Sequence, residues 1–471
     1  MSHYLHIFTK MDSIFYSQWQ LCDSNIVDCD YRPVPILQEN HHYHRILYQY
    51  EGPICVSKSE YMVKDITLAE KGRISYEWAR ANMKLLDGTI TRMREAGTLK
   101  GKTIGFCLHI TKETSVLLMG AKELGASVAA CPGNPLSTQD DIAAFLASEG
   151  IHVYAWRDQT DQEYFECIDS VLGHRPDVLV DDGGDMNIRA HTDARFANLN
   201  VLGATEETTA GVTRIQALEK AGKMRYPIIL VNNALTKLMF DNRYGAGQST
   251  IDGLLRAANL LLASKVIIIL GYGWIGRGVA RACRGMGARV VVTEVNHIKA
   301  LEAHMDGYEV MPAVEAAPIG DMFITTTGMT DVVRKEHILQ MKDGAILGNV
   351  GHFDVEIDTK FLLEESESVR EVRPNLDECV LQDGRRIYLI GKGRLANLVA
   401  AEGHPPEVMA QSFANQILSI QYILENHAQL ESKIMKVPDA IDYQIARDAL
   451  SAMQVEIDDL NEKQKSYAQS W

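Results

Sequence analysis

The chain has 471 residues, of which 46% are hydrophobic and 23% are charged, and its formal net charge is −15. This length predicts at least two globular domains, and the negative charge argues against a nucleic-acid or membrane-surface partner. No apolar run is long enough to span a bilayer. The first twenty residues lack the basic start and apolar stretch of a signal peptide, so we predict a cytoplasmic protein.

Residues 1–61 differ in character from the rest of the chain, because neither helical nor strand periodicity persists in them. We interpret them as a poorly ordered N-terminal extension. They contain several potential metal ligands, which are Cys22, Cys29, Cys55, His41, His42 and His44. Their spacing matches no zinc-binding pattern, so we predict no metal site. The eight cysteines of the chain lack paired spacing, which favours reduced thiols.

From Met62 the apolar residues recur at helical spacing, and from Lys102 strands and helices alternate. The predicted strands are KTIGFCLHI, ASVAAC, IHVYAW, DVLVDDGG, NVLGATEE and PIILVNN. Helices are predicted from Thr114 to Leu124 and over STQDDIAAFLASEG, the latter with Ser137 as its N-cap. This βαβ rhythm predicts a doubly wound parallel sheet whose ligand site lies at the carboxyl ends of the strands.

A second α/β unit follows a predicted helix over Thr250–Ala263. The apolar strand Val266–Leu270 is followed by G-x-G-x-x-G, a helix-permissive segment, a second apolar strand and an acidic residue. The residues of this pattern are Gly271, Gly273, Gly276 and Glu294. Glycines here allow a tight turn and close approach of the backbone to a pyrophosphate, and the acid accepts hydrogen bonds from a ribose. The order predicts a Rossmann dinucleotide-binding domain, which is followed by a helix over residues 405–427.

The residues alone therefore favour a dehydrogenase with a second α/β domain that carries polar groups at its strand ends. These groups are His109, Asp182, Glu207, Lys237 and Asp241. Each of them has a purely structural alternative, such as a turn residue or a snorkelling lysine.

A set of ordered motifs makes the prediction more specific. They are CLHITKET, NPLSTQDD, YAWR, DDGGD, EETTAGV, FDNRYGAGQSTIDG, GYGWIGRG, TTTG, GHFDVEID, GRLANL and GHP. From about residue 62 onward, the chain resembles the S-adenosyl-L-homocysteine hydrolase family. The resemblance implies a substrate-binding domain at 62–245 that is completed by 403–436, a Rossmann NAD-binding domain at 246–402, and a C-terminal tail at 437–471.

In that family, bound NAD⁺ oxidises the 3′-hydroxyl of the substrate to a ketone, which makes the C4′ proton acidic. Homocysteine then leaves by β-elimination, water adds, and the ketone is reduced again. The resemblance implies catalytic roles for His109, Asp182, Glu207, Lys237, Asp241 and His352. It implies substrate binding by Thr111, Glu113, Thr114 and His404.

The resemblance also implies which residues bind NAD. They are Thr208, Thr209, Asn242, Gly271, Gly273, Trp274, Ile275, Gly276, Glu294, Lys299, Asn397, Lys463 and Tyr467. The last two lie in a segment that reaches the cofactor site of a neighbouring subunit, so the resemblance implies a homotetramer. Lys299 could favour NADP, but Glu294 would repel a 2′-phosphate, and we predict NAD.

Three alternatives stay open. A related enzyme hydrolyses S-inosyl-homocysteine, although Glu113 argues for adenine because a carboxylate accepts from a 6-amino group and repels a 6-oxo group. A regulatory binding protein without catalysis is the second alternative, and a dehydrogenase that releases NADH is the third.

Overall fold

The structure is a computed structural model that describes residues 60–470 and the backbone of two short strands, Pro33–Ile36 and Leu47–Tyr50. These two strands pair antiparallel within a separate unit, Met1–Val56. Our expectations for the cysteines and histidines of this segment lie outside the described residues. Ser57–Trp471 forms the second unit, which contains two large sheets.

The first sheet has eight strands, and every neighbouring pair in it is parallel. In spatial order the strands are Ile434–Lys436, Ile228–Leu230, Gly203–Glu206, Val178–Asp181, Thr103–Cys107, Ser127–Cys131, His152–Ala155 and Met62–Val63. The six inner strands are those that the sequence predicted. The two edge strands are too short to show a periodicity of their own.

Helices cover both faces of this sheet, as parallel sheets require. They are Ala69–Asn82, Lys84–Met93, Lys112–Glu123, Asp140–Ser148, Asp161–Gly173, Asp185–Thr192, Thr209–Lys220, Pro406–Asn426 and Asp439–Ala452. The helix predicted from Thr114 begins at Lys112, because the Thr111 side chain caps it by accepting a bond from Thr114 N. The predicted cap Ser137 is wrong, since Gln139 precedes Asp140–Ser148 and makes no side-chain cap bond.

The second sheet also has eight strands, of which six are parallel and two form an antiparallel edge. In spatial order they are Glu309–Val310, Arg289–Thr293, Val266–Leu270, Met322–Thr325, Ala345–Asn349, Arg386–Ile390, Leu376–Leu381 and Ser366–Arg373. Its helices are Ala246–Ala258, Trp274–Gly285, His297–Met305, Ala313–Ala316, Lys335–Ile338, Thr359–Glu364 and Ala396–Val399. The helix predicted over Thr250–Ala263 therefore lies four to five residues earlier, and it ends at the left-handed residue Asn259 (φ 50°).

The chain crosses from the first sheet to the second once in each direction. The outward crossing contains the helix Leu235–Leu238 and a π-helical turn, Asp241–Gly245. After the second sheet, Pro406–Asn426 packs back into the core of the first through residues such as Phe413 and Ile420. The second sheet is thus an insertion between parts of the first.

The C-terminal region begins with a packed helix and ends with an exposed one. Asp439–Ala452 joins the core of the first sheet through Ile445 and Ala449. Helix Glu462–Gln469 buries none of its residues. Across the described residues, the structure contains no helix with the length and apolar character needed to cross a membrane.

Candidate active site

A cavity of about 1160 Å³ lies where the carboxyl ends of the two sheets face each other. It is lined by all the predicted site residues except Gly276, Lys463 and Tyr467. Both crossing segments also contribute to its wall, through residues such as Asn242 and Gly403. The site is therefore assembled from residues that are far apart in the chain.

The three remaining predicted residues lie elsewhere for different reasons. A Cβ on Gly276 would be 2.1 Å from the carbonyl oxygen of Gly271, so this glycine allows the helix to pack against the strand end. Lys463 and Tyr467 are on the exposed helix Glu462–Gln469, and 82% of Tyr467 is exposed. Neither Lys463 nor Tyr467 lines the cavity of the chain to which it belongs.

Lys237 is buried at the centre of a group of carboxylates. Its Nζ lies 3.2 Å from Oδ1 of Asp241 and 3.6 Å from Oε1 of Glu207, and it donates a 2.8 Å hydrogen bond to Oδ1 of Asn242. The outward crossing brings these groups together, because Lys237 is on its short helix while Asp241 and Asn242 begin its π-helical turn. Such turns are frequent at functional sites.

Burial and charge act in opposite directions on this group. Burial disfavours the Lys237 ammonium, but Asp241, Glu207 and Asp182 outweigh it and raise the pKa of Lys237 above its ordinary value. Burial also opposes ionisation of Asp241, yet Lys237 and His404 hold the pKa of that carboxyl below its ordinary value. For Glu207 burial wins, and its pKa is raised to about 8.

A second group joins the two sheets across the cavity. Nε2 of His109 lies 3.4 Å from Oδ2 of Asp182, and Nδ1 of His352, from the second sheet, lies 3.7 Å from Oδ1. On its other side, Nδ1 of His109 lies 2.7 Å from Oγ of Ser137. Ser137 thus contacts a proposed catalytic residue instead of capping a helix.

Burial sets the protonation of this second group. It lowers the pKa of His109 to about 3, with a contribution from His404, and it lowers the pKa of His352. Burial raises the pKa of Asp182, against the effect of His352 and Lys237. The ligand atoms of the three residues lie within 4.8 Å of one another. The separations fit a proton-sharing network of neutral imidazoles and a carboxyl group, and we assign no metal to it.

The other predicted substrate residues lie on either side of these two groups. Thr111, Glu113 and Thr114 line the cavity at the start of helix Lys112–Glu123. Glu113 is buried, and its Oε1 lies 3.2 Å from Nζ of Lys112. His404, from the return crossing, has its Nδ1 3.2 Å from Oδ1 of Asp241.

The dinucleotide motif has the geometry that its glycines require. Gly271 has a φ of +101°, and a Cβ there would lie 2.7 Å from Cγ2 of Thr327. Gly273 has open space around its missing Cβ and immediately precedes helix Trp274–Gly285, whose N-terminal amides favour a phosphate. Glu294 directly follows the next strand, Arg289–Thr293, and accepts a 2.7 Å bond from Tyr272 N.

Two further observations show that these residues fit a dinucleotide. Asn397 lines the cavity, and its buried Oδ1 has no hydrogen-bond partner among the residues that the structure describes. A ligand donor would satisfy this oxygen. Lys299 and Glu294 both line the cavity, and the Glu294 carboxylate would disfavour an added 2′-phosphate.

Comparison with protein families decides the assignment. The model described as "S-adenosyl-L-homocysteine hydrolase" matches residues 60–201. The model described as "S-adenosyl-L-homocysteine hydrolase, NAD binding domain" matches residues 242–403, which hold the second sheet. This chain belongs to the S-adenosyl-L-homocysteine hydrolase family. It is thus an enzyme of a hydrolase family, and its second sheet is an NAD-binding domain.

Individual relatives are similar over nearly their whole length. The adenosylhomocysteinase of Sulfurisphaera tokodaii is 52% identical over 88% of this chain and 99% of its own. That of Aquifex aeolicus is 51% identical over 88% and 99%. The S-inosyl-L-homocysteine hydrolase of Methanocaldococcus jannaschii is 51% identical over 87% and 99%. Overall identity therefore does not separate the adenosyl and inosyl members of the hydrolase family.

The motifs of the hydrolase family did not point to two polar residues of helix Pro406–Asn426 that contact the acid–base group. Ser412 Oγ donates a 2.7 Å bond to Oδ2 of Asp241, and Gln416 Nε2 donates to Oε2 of Glu207. Both side chains are fully buried or nearly so. A signal was present in the sequence, since a run of polar residues at helical spacing interrupts an otherwise apolar helix face.

Proposed function

We propose that this protein hydrolyses S-adenosyl-L-homocysteine to adenosine and L-homocysteine, reversibly and with bound NAD. The single observation that carries the proposal is the shared cavity. Two separate acid–base groups, one around Lys237 and one around Asp182, face the same space as the dinucleotide loop. A simple dehydrogenase needs one such group, whereas oxidation combined with elimination needs two.

The redox cofactor accounts for how an unactivated thioether can be cleaved. When bound, NAD⁺ supplies a reversible oxidant for a secondary alcohol. The residues of this chain then have to position the ribose, move protons and keep water out. Glu207, Lys237 and Asp241 are buried and line the cavity, so they fit the ribose hydroxyl groups.

Proton movement at the ribose hydroxyl depends on Lys237. Its raised pKa makes it an ammonium in the structure, so it first acts as a hydrogen-bond donor. It can accept the proton of the hydroxyl only after it has released one of its own. Asp241 stays ionised and keeps the lysine in place through the 3.2 Å contact.

The second group fits the elimination and the addition of water. Asp182 has a raised pKa, which suits a carboxylate that takes a carbon-bound proton near neutral pH. His109 and His352 are neutral imidazoles on either side of it, and each can pass a proton to a leaving thiolate or take one from water. The connection to Ser137 orients the His109 ring.

Adenosyl preference is part of the proposal. Glu113 supports it because its carboxylate can accept a hydrogen bond from a 6-amino group. Burial raises the pKa of Glu113 while Lys112 opposes that shift, and a protonated Glu113 would donate to a 6-oxo group instead. S-inosyl-L-homocysteine is therefore the alternative substrate.

The experiment is a thiol-release assay on NAD-loaded protein with each of the two substrates, while the absorbance of reduced nicotinamide is followed. We expect thiol release from the adenosyl substrate, slower release from the inosyl substrate, and no net accumulation of NADH. Faster cleavage of the inosyl compound would change the substrate assignment. Stoichiometric NADH without thiol would indicate a dehydrogenase, and binding without either signal would indicate a regulatory protein.

We also propose that the protein is a homotetramer in which the C-terminal tail reaches a neighbouring subunit. Helix Glu462–Gln469 is exposed along its whole length. The segment before it exposes four large apolar residues, Met453, Val455, Ile457 and Leu460. Both sheets already have packed cores on their two faces, so the exposed apolar residues of this segment fit a surface that is covered by another copy of the chain.

A further inference from the structure

Two acidic pairs end neighbouring strands of the first sheet. Asp181 is the last residue of strand Val178–Asp181 and is followed by Asp182, while Glu206 is the last residue of Gly203–Glu206 and is followed by Glu207. Asp181 and Glu206 are partners in the parallel register. Asp182 and Glu207 line the cavity, whereas Asp181 and Glu206 lie beneath it and are completely buried. The two inner carboxyl groups therefore contact neither substrate nor cofactor.

The inner carboxyl groups hold the backbone of both site loops. Oδ1 of Asp181 accepts a 3.0 Å bond from Asp182 N, and its Oδ2 accepts a 2.6 Å bond from Asn187 N. Oε1 of Glu206 accepts bonds from Gly183 N (2.9 Å), Thr208 N (3.0 Å) and Thr208 Oγ1 (2.9 Å). One oxygen of Glu206 thus connects the loop after Asp182 with the loop after Glu207.

Glu206 also influences the second sheet through Gly183. That residue has a φ of +106°, and a Cβ on it would lie 2.3 Å from Nε2 of His352. Gly183 is therefore in close contact with the imidazole, while its amide is held by Glu206 and its carbonyl accepts a 2.6 Å bond from Nη1 of Arg214. The Glu206 carboxyl itself fills the space beside Gly211, where a Cβ would lie 2.0 Å from Oε1.

The charges around Glu206 are mostly negative. The charged groups that act on the Asp181–Glu206 pair are Asp182, Asp185 and the Arg214 guanidinium. The Cys107 thiol and the Tyr226 hydroxyl near Asp181 have raised pKa values and are neutral. Arg214 is paired with Asp185, at 2.9 Å. Oε2 of Glu206 is buried and has no hydrogen-bond partner among the described residues. Burial and the neighbouring Asp181 raise the pKa of Glu206, and two adjacent buried carboxyl groups cannot both ionise at low cost.

We propose that Glu206 is a positioning residue that stays protonated in the native protein and aligns the loops of Asp182 and Thr208 with His352. The inner acid of each pair thus shapes the site, and the outer acid performs the chemistry. The effect on activity rests on the hydrolase function proposed above. The protonation state of Glu206 does not rest on that function, and it can be measured without substrate.

The test compares Glu206→Gln with the native NAD-loaded protein and with the control Glu95→Gln, which changes an exposed carboxylate. A carboxyl group that keeps its proton only in the folded state loses its contribution to stability as pH rises above the pKa of the unfolded chain. We therefore expect the thermal midpoint of Glu206→Gln to rise relative to native protein between pH 5 and pH 9. The thermal midpoint of Glu95→Gln should keep a constant difference from that of native protein over the same pH range.

If the thermal midpoint of Glu206→Gln relative to native protein stays constant or falls as pH rises, the proposal is overturned, because Glu206 would then be ionised in the native state. Activity gives the second readout. We expect Glu206→Gln to keep kcat within about threefold of native, and Glu206→Ala to lose about tenfold or more, because the three backbone and hydroxyl donors lose their acceptor. Equal losses in the two variants would also overturn it. If native protein releases no thiol, the hydrolase function fails, while the pH series still decides the protonation state.

Discussion

Three acidic side chains act on the buried ammonium of Lys237, and this arrangement determines its charge before any reaction. Asp241, Glu207 and Asp182 together outweigh the effect of burial on its pKa. The motif predicted which residues lie here. It did not predict the protonation states, because these depend on distances between groups from several segments.

The oxidation step should therefore accelerate as pH rises. With adenosine bound, we expect the rate at which reduced nicotinamide absorbance appears to increase by up to about tenfold per pH unit below the pKa of Lys237, because the neutral lysine fraction grows by that factor. Lys237→Met should remove the pH dependence and lower the rate by about 10²-fold or more. The exposed Lys84→Met is the control and should retain the native profile. A native rate that falls with pH would contradict the role of Lys237.

Substrate choice should depend on the Glu113 side chain. In Glu113→Gln the amide can donate to a 6-oxo group, so we expect kcat/KM for the adenosyl substrate to fall about tenfold and that for the inosyl substrate to rise. Glu402→Gln removes the other carboxylate partner of Lys112, whose Nζ lies 2.9 Å away, and leaves the cavity intact. An unchanged substrate ratio in Glu113→Gln would exclude the base as its partner.

Helices Ala246–Ala258 and Trp274–Gly285 pack closely at glycines, beside the turn Asp241–Gly245 of the outward crossing. A Cβ on Gly278 would lie 1.9 Å from the carbonyl oxygen of Arg243, and one on Gly247 would lie 2.8 Å from that of Gly278. The turn Asp241–Gly245 is therefore in backbone contact with helix Trp274–Gly285. This contact fixes the turn that carries Asp241 and Asn242.

Gly278→Ala should displace that turn. We expect it to lower both kcat and the amount of NAD retained after gel filtration, each by about tenfold, because the neighbouring atom is backbone and cannot move alone. Gly285→Ala, at the end of the same helix, meets nothing within 4 Å. That variant should be neutral or stabilise the protein by about 0.5–1 kcal/mol. Equal behaviour of the two variants would contradict the close-packing argument.

At the level of elements, the sequence predicted the six inner strands of the first sheet and the two strands around the glycine motif. It did not predict the short edge strands or the later strands of the second sheet. Val266–Leu270 is apolar throughout and was predicted, whereas the edge strand Ser366–Arg373 is almost wholly exposed and its sequence, SESVREVR, is polar. Its pairing with Leu376–Leu381 comes from tertiary context. Ser137 was misassigned because a serine hydroxyl can either cap a helix or contact a histidine ring, and only the tertiary structure distinguishes the two roles.

At the scale of the whole molecule, the C-terminal tail is proposed to join subunits and to complete their NAD sites. Lys463→Ala should reduce NAD affinity about tenfold without changing the mass seen in light scattering, if the tail of one subunit reaches the cofactor of another. Lys465→Ala is the matched control, because Lys465 pairs with Glu462 on its own helix at 2.8 Å. A chain that ends after Gln454 should have a smaller mass in solution and bind less NAD. A monomeric native protein would contradict the proposed tetramer.

Insertion of the NAD-binding domain between parts of the first sheet has a consequence for biosynthesis. Strand Ile434–Lys436, which follows the inserted domain in the chain, pairs with Ile228–Leu230, which precedes it. Because chains emerge from the ribosome in order, the inserted domain can fold while the first sheet still lacks its last strand and the helix that carries Ser412 and Gln416. The contacts of Ser412 with Asp241 and of Gln416 with Glu207 can therefore form only after the whole NAD-binding domain has been synthesised.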